Sequence, residues 1–136
     1  MEYKNVHIIY FSPTHTSAKI AYAIAEALEA DTLSESDITH EGLKELLSMG
    51  GNELVIVAVP VYGGRVAETA MDRIRMFKGN ATPVIPVVVY GNRDYEDALK
   101  ELSDALSAQG FAAIAAAVSG RKKAVAGNVQ VEMHGI

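Results

Sequence analysis

Four short, nearly continuous apolar runs constrain the fold of this chain more than any other feature: residues 6–11, 54–59, 83–90 and 111–118. They are mostly rich in valine and isoleucine and lack the alternation of a strand with one wet face. They therefore read as strands covered on both sides, the pattern of a parallel sheet under helices. A weaker, polar strand is expected near residues 31–34, suited to a sheet edge. The stretches between have helical spacing. One helix runs from about Ser17 to Ala30 and buries Ile20, Ala21, Ile24, Ala25 and Leu28. A second, near residues 41–49, carries Leu43, Leu46 and Leu47 and stops at Gly50-Gly51. A third, from about Ala67 to Lys78, turns Ala70, Met71, Ile74 and Phe77 to one side and stops at Gly79. A fourth opens after Asp94 as N-cap, buries Ala98, Leu99, Leu102, Ala105 and Leu106, and ends at Gly110.

Strict alternation with short loops implies right-handed crossovers and a doubly wound sheet. The expected architecture is three-layer α/β with strand order 2-1-3-4-5. A dinucleotide-binding arrangement fits worse, because the first turn has no G-x-G-x-x-G. A phosphoacceptor receiver domain is set aside too, since strand three ends in Val59-Pro60 where its aspartate is required. At 136 residues the chain reads as one domain, residues 1–118, followed by an atypical tail at 119–136. That tail holds the basic cluster Arg121-Lys122-Lys123 and the alternation Val129, Val131, Met133. It predicts a short extra strand or a loose arm where a fifth helix is due. A missing fifth helix would leave the sheet face beside helix one half covered. Two devices would close it, a homodimer first and the tail laid across it second.

Composition narrows the functions. Twelve basic against 17 acidic side chains give a net charge of −5, which is no footprint for nucleic acid. The chain has no cysteine, so it offers no disulfide, thiolate nucleophile or iron–sulfur ligand. No apolar run approaches the roughly 18–20 residues that span a bilayer, and the start has no signal-peptide shape. A soluble, cytoplasmic protein without membrane contact is the expectation. Four scattered histidines give no metal spacing, and Ser12, His15 and Asp31 make no supported catalytic set.

In a sheet of this order, ligands bind beyond the carboxyl ends of the strands at the switch point. Three loops converge there. The first, Ser12-Pro13-Thr14-His15-Thr16-Ser17, places four hydroxyl residues between a strand and a helix start. Hydroxyls and backbone N–H groups beside a positive helix end suit a phosphate monoester without any lysine, though a turn with an N-cap is the plainer reading. The second is Pro60-Val61-Tyr62-Gly63-Gly64-Arg65, whose glycines permit positive φ and close backbone approach. The third is Tyr90-Gly91-Asn92-Arg93-Asp94-Tyr95. Singly, the tyrosines read equally well as surface aromatics, the arginines as solvated and Asp94 as a cap. Together, two tyrosines above a hydroxyl-lined cup describe a site for a planar ring with a phosphate tail.

These three motifs resemble the flavodoxin domain of proteins that fuse a flavodoxin to a two-cluster ferredoxin, over roughly residues 3 to 118. The resemblance implies flavin mononucleotide (FMN), with phosphate on the first loop and the flavin between the other two. It implies Ser12, Thr14, Thr16 and Ser17 as phosphate donors, Tyr62 and Tyr95 as stacking residues and Asn92 as donor to the polar edge of the ring. Gly63 resembles a glycine whose peptide turns over on reduction of the flavin. His15 stands where many relatives carry a small residue, either facing solvent or adding a phosphate donor. No residue need act as acid or base. Arg65 and Arg93 oppose the carboxylates of Asp94, Glu96 and Asp97, which leaves the direction of the potential shift open. Because the chain has no cluster-binding cysteines, electrons would pass to a separate protein. The rival readings are a nicotinamide-dependent flavin or quinone reductase and a flavodoxin-fold interaction module that has lost flavin.

Overall fold

Leucine, valine, isoleucine and alanine at 54–59 leave no polar face to turn toward water, and that run is buried at every position in the middle of the sheet. The computed structural model describes residues 4–90, 96–120 and 132–135. In chain order its elements are β1 (Asn5–Tyr10), α1 (Thr16–Ala27), β2 (Thr32–Asp37), β3 (Leu47–Ser48), β4 (Glu53–Tyr62), β5 (Arg65–Val66) and α2 (Glu68–Ile74). There follow β6 (Phe77–Lys78), β7 (Thr82–Tyr90), α3 (Glu96–Ala108), β8 (Phe111–Ala113), β9 (Ala115–Gly120) and β10 (Glu132–Gly135). The main sheet has the order β10-β9-β7-β4-β1-β2, with β8 joined to β7 and β5 to β4. Strands β2, β1, β4, β7, β8 and β9 pair in parallel. This is the expected order 2-1-3-4-5, a flavodoxin-like three-layer α/β fold.

Period-two alternation sorts each strand between two cores. Leu54, Ile56 and Ala58 of β4 pack with Ile20, Ala21 and Ile24 of α1. Val55, Val57 and Val59 turn the other way, into the core formed with Met71 and Ile74 of α2 and Leu102 and Leu106 of α3. The face beside α1 was expected to stay half open. Of that face, Ile85, Val87, Val89 and Ala117 are buried, while Tyr22 of α1 and Leu33 of β2 stand 38% and 44% exposed. In the tail, β10 pairs antiparallel with β9 as an added strand, while residues 121–131 and 136 lie outside the described residues.

Three expectations are corrected. There is no helix at 41–49. Leu46 and Leu47 are exposed at 59% and 39%, and Leu47–Ser48 pairs instead with Phe77–Lys78. Nine residues make a marginal helix unless packing rescues it. Here the backbone finds better partners, Leu47 N–H on the Met76 carbonyl and Met49 N–H on that of Lys78. For the same reason α2 stops at Ile74 rather than Lys78. Phe77 leaves the helix, joins this small ladder and is fully buried. Strand five is broken at Ile114. The register against β7 runs Val84↔Ala113 before the break and Val87↔Ala117 after it, an insertion of one residue. The cause is Pro86. Val84 gives its carbonyl to Ile114 N–H, and two residues on Pro86 faces the same neighbour with no N–H to offer.

The polar edge strand is pinned by side chains. His7 on β1 is buried between two hydroxyls of β2, Nδ1 to Ser34 Oγ at 2.5 Å and Nε2 to Ser36 Oγ at 2.7 Å. On the opposite face the Tyr10 and Tyr22 hydroxyls both donate to Glu35. Burial lowers the pKa of His7, against the smaller opposing effects of Glu53 and Glu35. The folded chain thus prefers a neutral ring more than the unfolded chain does. That contribution is complete above the unfolded value of about 6.5 and is lost as pH falls toward and through the lowered folded value. The midpoint of urea unfolding is expected to decline on acidification below about pH 6.5, and His7→Gln to flatten that decline. An unchanged slope in the variant would show that His7 does not set it.

Candidate functional site

Parallel registers bring the candidate loops to one edge. Tyr10 lies opposite Asp37 and Ala58, and Val61 opposite Tyr90, so β2, β1, β4 and β7 all deliver their carboxyl ends there. With α1 on one face and α2 and α3 on the other, the edge at β1 and β4 is the switch point of the fold.

Ser12 leaves β1 and is tied at three points. Its N–H donates to Thr39 Oγ1 at 2.9 Å, its carbonyl accepts from His15 N–H at 3.1 Å, and its Oγ accepts from Ala18 N–H at 3.0 Å. At 4% exposure Ser12 anchors the loop rather than opening toward a ligand. Pro13, Thr14 and His15 are exposed above it. His15 begins α1 with φ 66°, a left-handed conformation that suits glycine, and makes no side-chain cap. His15 adds no cap of its own, so beside the Ala18 N–H that Ser12 accepts, the N–H groups of Thr16 and of Ser17, the latter only 2% exposed, have no acceptor among the described residues. The Thr14 hydroxyl reaches the Thr16 hydroxyl at 3.4 Å on the same rim. Unpaired N–H donors at the positive end of a helix, beside two hydroxyls, are groups of the kind that attract anions. The phosphate of FMN fits this donor set.

The second loop is a two-residue hairpin. Tyr62 pairs with Arg65, and Gly63 and Gly64 both take positive φ, 57° and 79°, the geometry of a type I′ turn. A Cβ on Gly63 would meet nothing within 4 Å, so the demand there is purely conformational. Pro60 and Val61 are half-buried, and Tyr62 stands 52% exposed at the tip. Arg65 turns away from the edge. Its Nε and Nη2 donate to Glu101 Oε2 on α3 at 3.1 and 2.5 Å, and Val66 N–H takes Oε1 of the same carboxylate. The Arg65 hydrogen bond holds the Glu101 carboxyl below its ordinary range, and Arg65 is raised in turn. Arg65 therefore clamps the hairpin to α3, and its charge is matched there.

Tyr90 is half-buried at the end of β7. Gly91, Asn92, Arg93, Asp94 and Tyr95, and with them the expected third loop and the Asp94 cap, lie outside the described residues. Two residues that sequence reasoning passed over belong to the site. Thr39 receives Ser12 N–H, and Arg73 of α2 holds the segment that carries Thr39. Thr39 was accessible in principle, since strand order puts the loop after β2 beside the loop after β1. Among the described residues no group of three His, Asp or Glu side chains is placed to hold a metal. No helix among them is long and apolar enough to cross a membrane. No protein-family model matches the chain, and no curated protein matches it significantly.

Proposed function

We propose that this chain binds FMN at the carboxyl edge of its sheet and exchanges electrons with a separate protein. One observation carries the reading: α1 begins at the switch point with unpaired N–H donors, two rim hydroxyls and no side chain of its own across them. In this proposal the Thr16 and Ser17 N–H groups and the Thr14 and Thr16 hydroxyls hold the phosphate, while Ser12 keeps the loop in shape. Tyr62, half out of the protein beside the Gly63-Gly64 turn, offers a ring face for stacking. Bound FMN would supply the redox chemistry, and the protein its placement and electrostatics. A net charge of −5 suits a partner with a basic docking patch. The proposal is made for the single chain, in which Ile85, Val87, Val89 and Ala117 beside α1 are already buried.

The visible spectrum of the purified protein, before and after added FMN, tests it. A flavin spectrum that stays with the protein through gel filtration supports the reading, and FMN that elutes wholly free refutes it. NADH consumption with added quinone would turn the reading toward a reductase. If Tyr62 covers the ring, flavin emission is expected to be quenched in the complex. Tyr62→Ala should then restore part of it and weaken binding by about 1 kcal/mol. Emission and affinity both unchanged in that variant would remove Tyr62 from the site.

A further inference from the structure

Arg73 is spent in an unusual way. Its Nη1 donates to two successive backbone carbonyls, Ile38 and Thr39, each at 2.8 Å. Its guanidinium lies 5.9 Å from the centre of the Phe11 ring, at the mouth of the first loop. Among the described residues it makes no ion pair with a carboxylate, so these two carbonyls are its hydrogen-bond partners. Room for its stem depends on Gly42, where an added Cβ would lie only 3.0 Å from Arg73 Cγ. The segment it holds is the one whose Thr39 hydroxyl accepts Ser12 N–H, and Ser12 in turn caps Ala18.

We infer that Arg73 is a positioning residue for the phosphate cup. It acts from α2 through the Ile38–Thr39 backbone and the Thr39 hydroxyl onto Ser12, and it makes the cup selective for a phosphorylated flavin. The inference rests on the FMN reading above. Buried or half-buried carbonyls that lose a charged donor must find another partner or shift. A shift at Thr39 frees the Ser12 peptide and with it the direction of the loop. The relay thus predicts a loss confined to the phosphate-dependent part of binding.

The test is the dissociation constant for FMN and for riboflavin, by fluorescence titration, in the unaltered chain, Arg73→Met, Thr39→Val, Thr39→Ser and the double variant of Arg73→Met with Thr39→Val. Thermal unfolding of each variant is followed alongside. In the unaltered chain FMN should bind about 100-fold more tightly than riboflavin. Arg73→Met and Thr39→Val should each cut that ratio about tenfold, through FMN alone, and the double variant no further than either one. Thr39→Ser, which keeps the hydroxyl, should retain the ratio. Thr39→Val carries the test by itself if Arg73→Met does not fold. A preference for FMN that survives both single variants within about twofold, or equal weakening of FMN and riboflavin, overturns the relay while leaving the FMN reading intact. An unaltered chain with no preference for FMN overturns both.

Discussion

Gly110→Ala is expected to destabilise the protein by about 3 kcal/mol or more, the largest loss foreseen for a single added methyl group. Gly110 follows α3 with φ 96°, and an added Cβ would run into the Gly79 carbonyl oxygen. The two backbones touch because the end of α3 is stitched to the segment around β6. Gly79 N–H donates to the Gln109 carbonyl at 2.9 Å, and Gln109 Nε2 donates to the carbonyls of Arg75 and Phe77. A methyl group must part this seam, and alanine must also hold a positive φ at a cost of roughly 1–2 kcal/mol. Gly63→Ala is the control. It shares the positive φ but meets no atom, so it should lose only about 1 kcal/mol. Urea unfolding of both variants decides the matter, and equal losses would show that the contact with Gly79 is not tight.

The second large effect is expected at Ser12. Ser12→Ala removes the acceptor for Ala18 N–H at the start of α1. Loss of such a hydroxyl costs about 1–2 kcal/mol of stability. Under the proposed function it also loosens the loop that frames the Thr16 and Ser17 N–H groups, so FMN affinity should fall about tenfold. Thr14→Ala lacks the capping role, and should weaken FMN by a similar factor with stability nearly unchanged. Urea unfolding together with FMN titration separates the anchor from the rim. Equal stability loss in both variants would contradict the division of labour between Ser12 and Thr14.

What was legible in the sequence was what local pattern decides. Continuous Val and Ile runs marked the buried parallel strands, and the hydroxyl cluster marked the first loop. The polar stretch near residue 31 marked the edge strand, although it runs on to Asp37. The failures share a cause, since pairings distant in sequence overrode local preference. Leu46 and Leu47 have helical spacing, yet the backbone at 47–49 pairs with residues 76–78, about 30 positions away. Arg65 reads from sequence as solvated or as a charge near the ring, and nothing local announces that Glu101, 36 residues on, pairs with it. Thr39 and Arg73 carry no motif at all. They matter because the fold sets the loop after β2 beside the loop after β1, with α2 reaching beneath.

The most direct measurement is calorimetric titration of the unaltered chain with FMN and, separately, with riboflavin. The two ligands share the ring and differ by the phosphate that the α1 cup is proposed to hold. FMN binding stoichiometrically and about 100-fold more tightly than riboflavin is the expected result. Equal affinities, or no heat with either ligand, would contradict the cup and the function built on it.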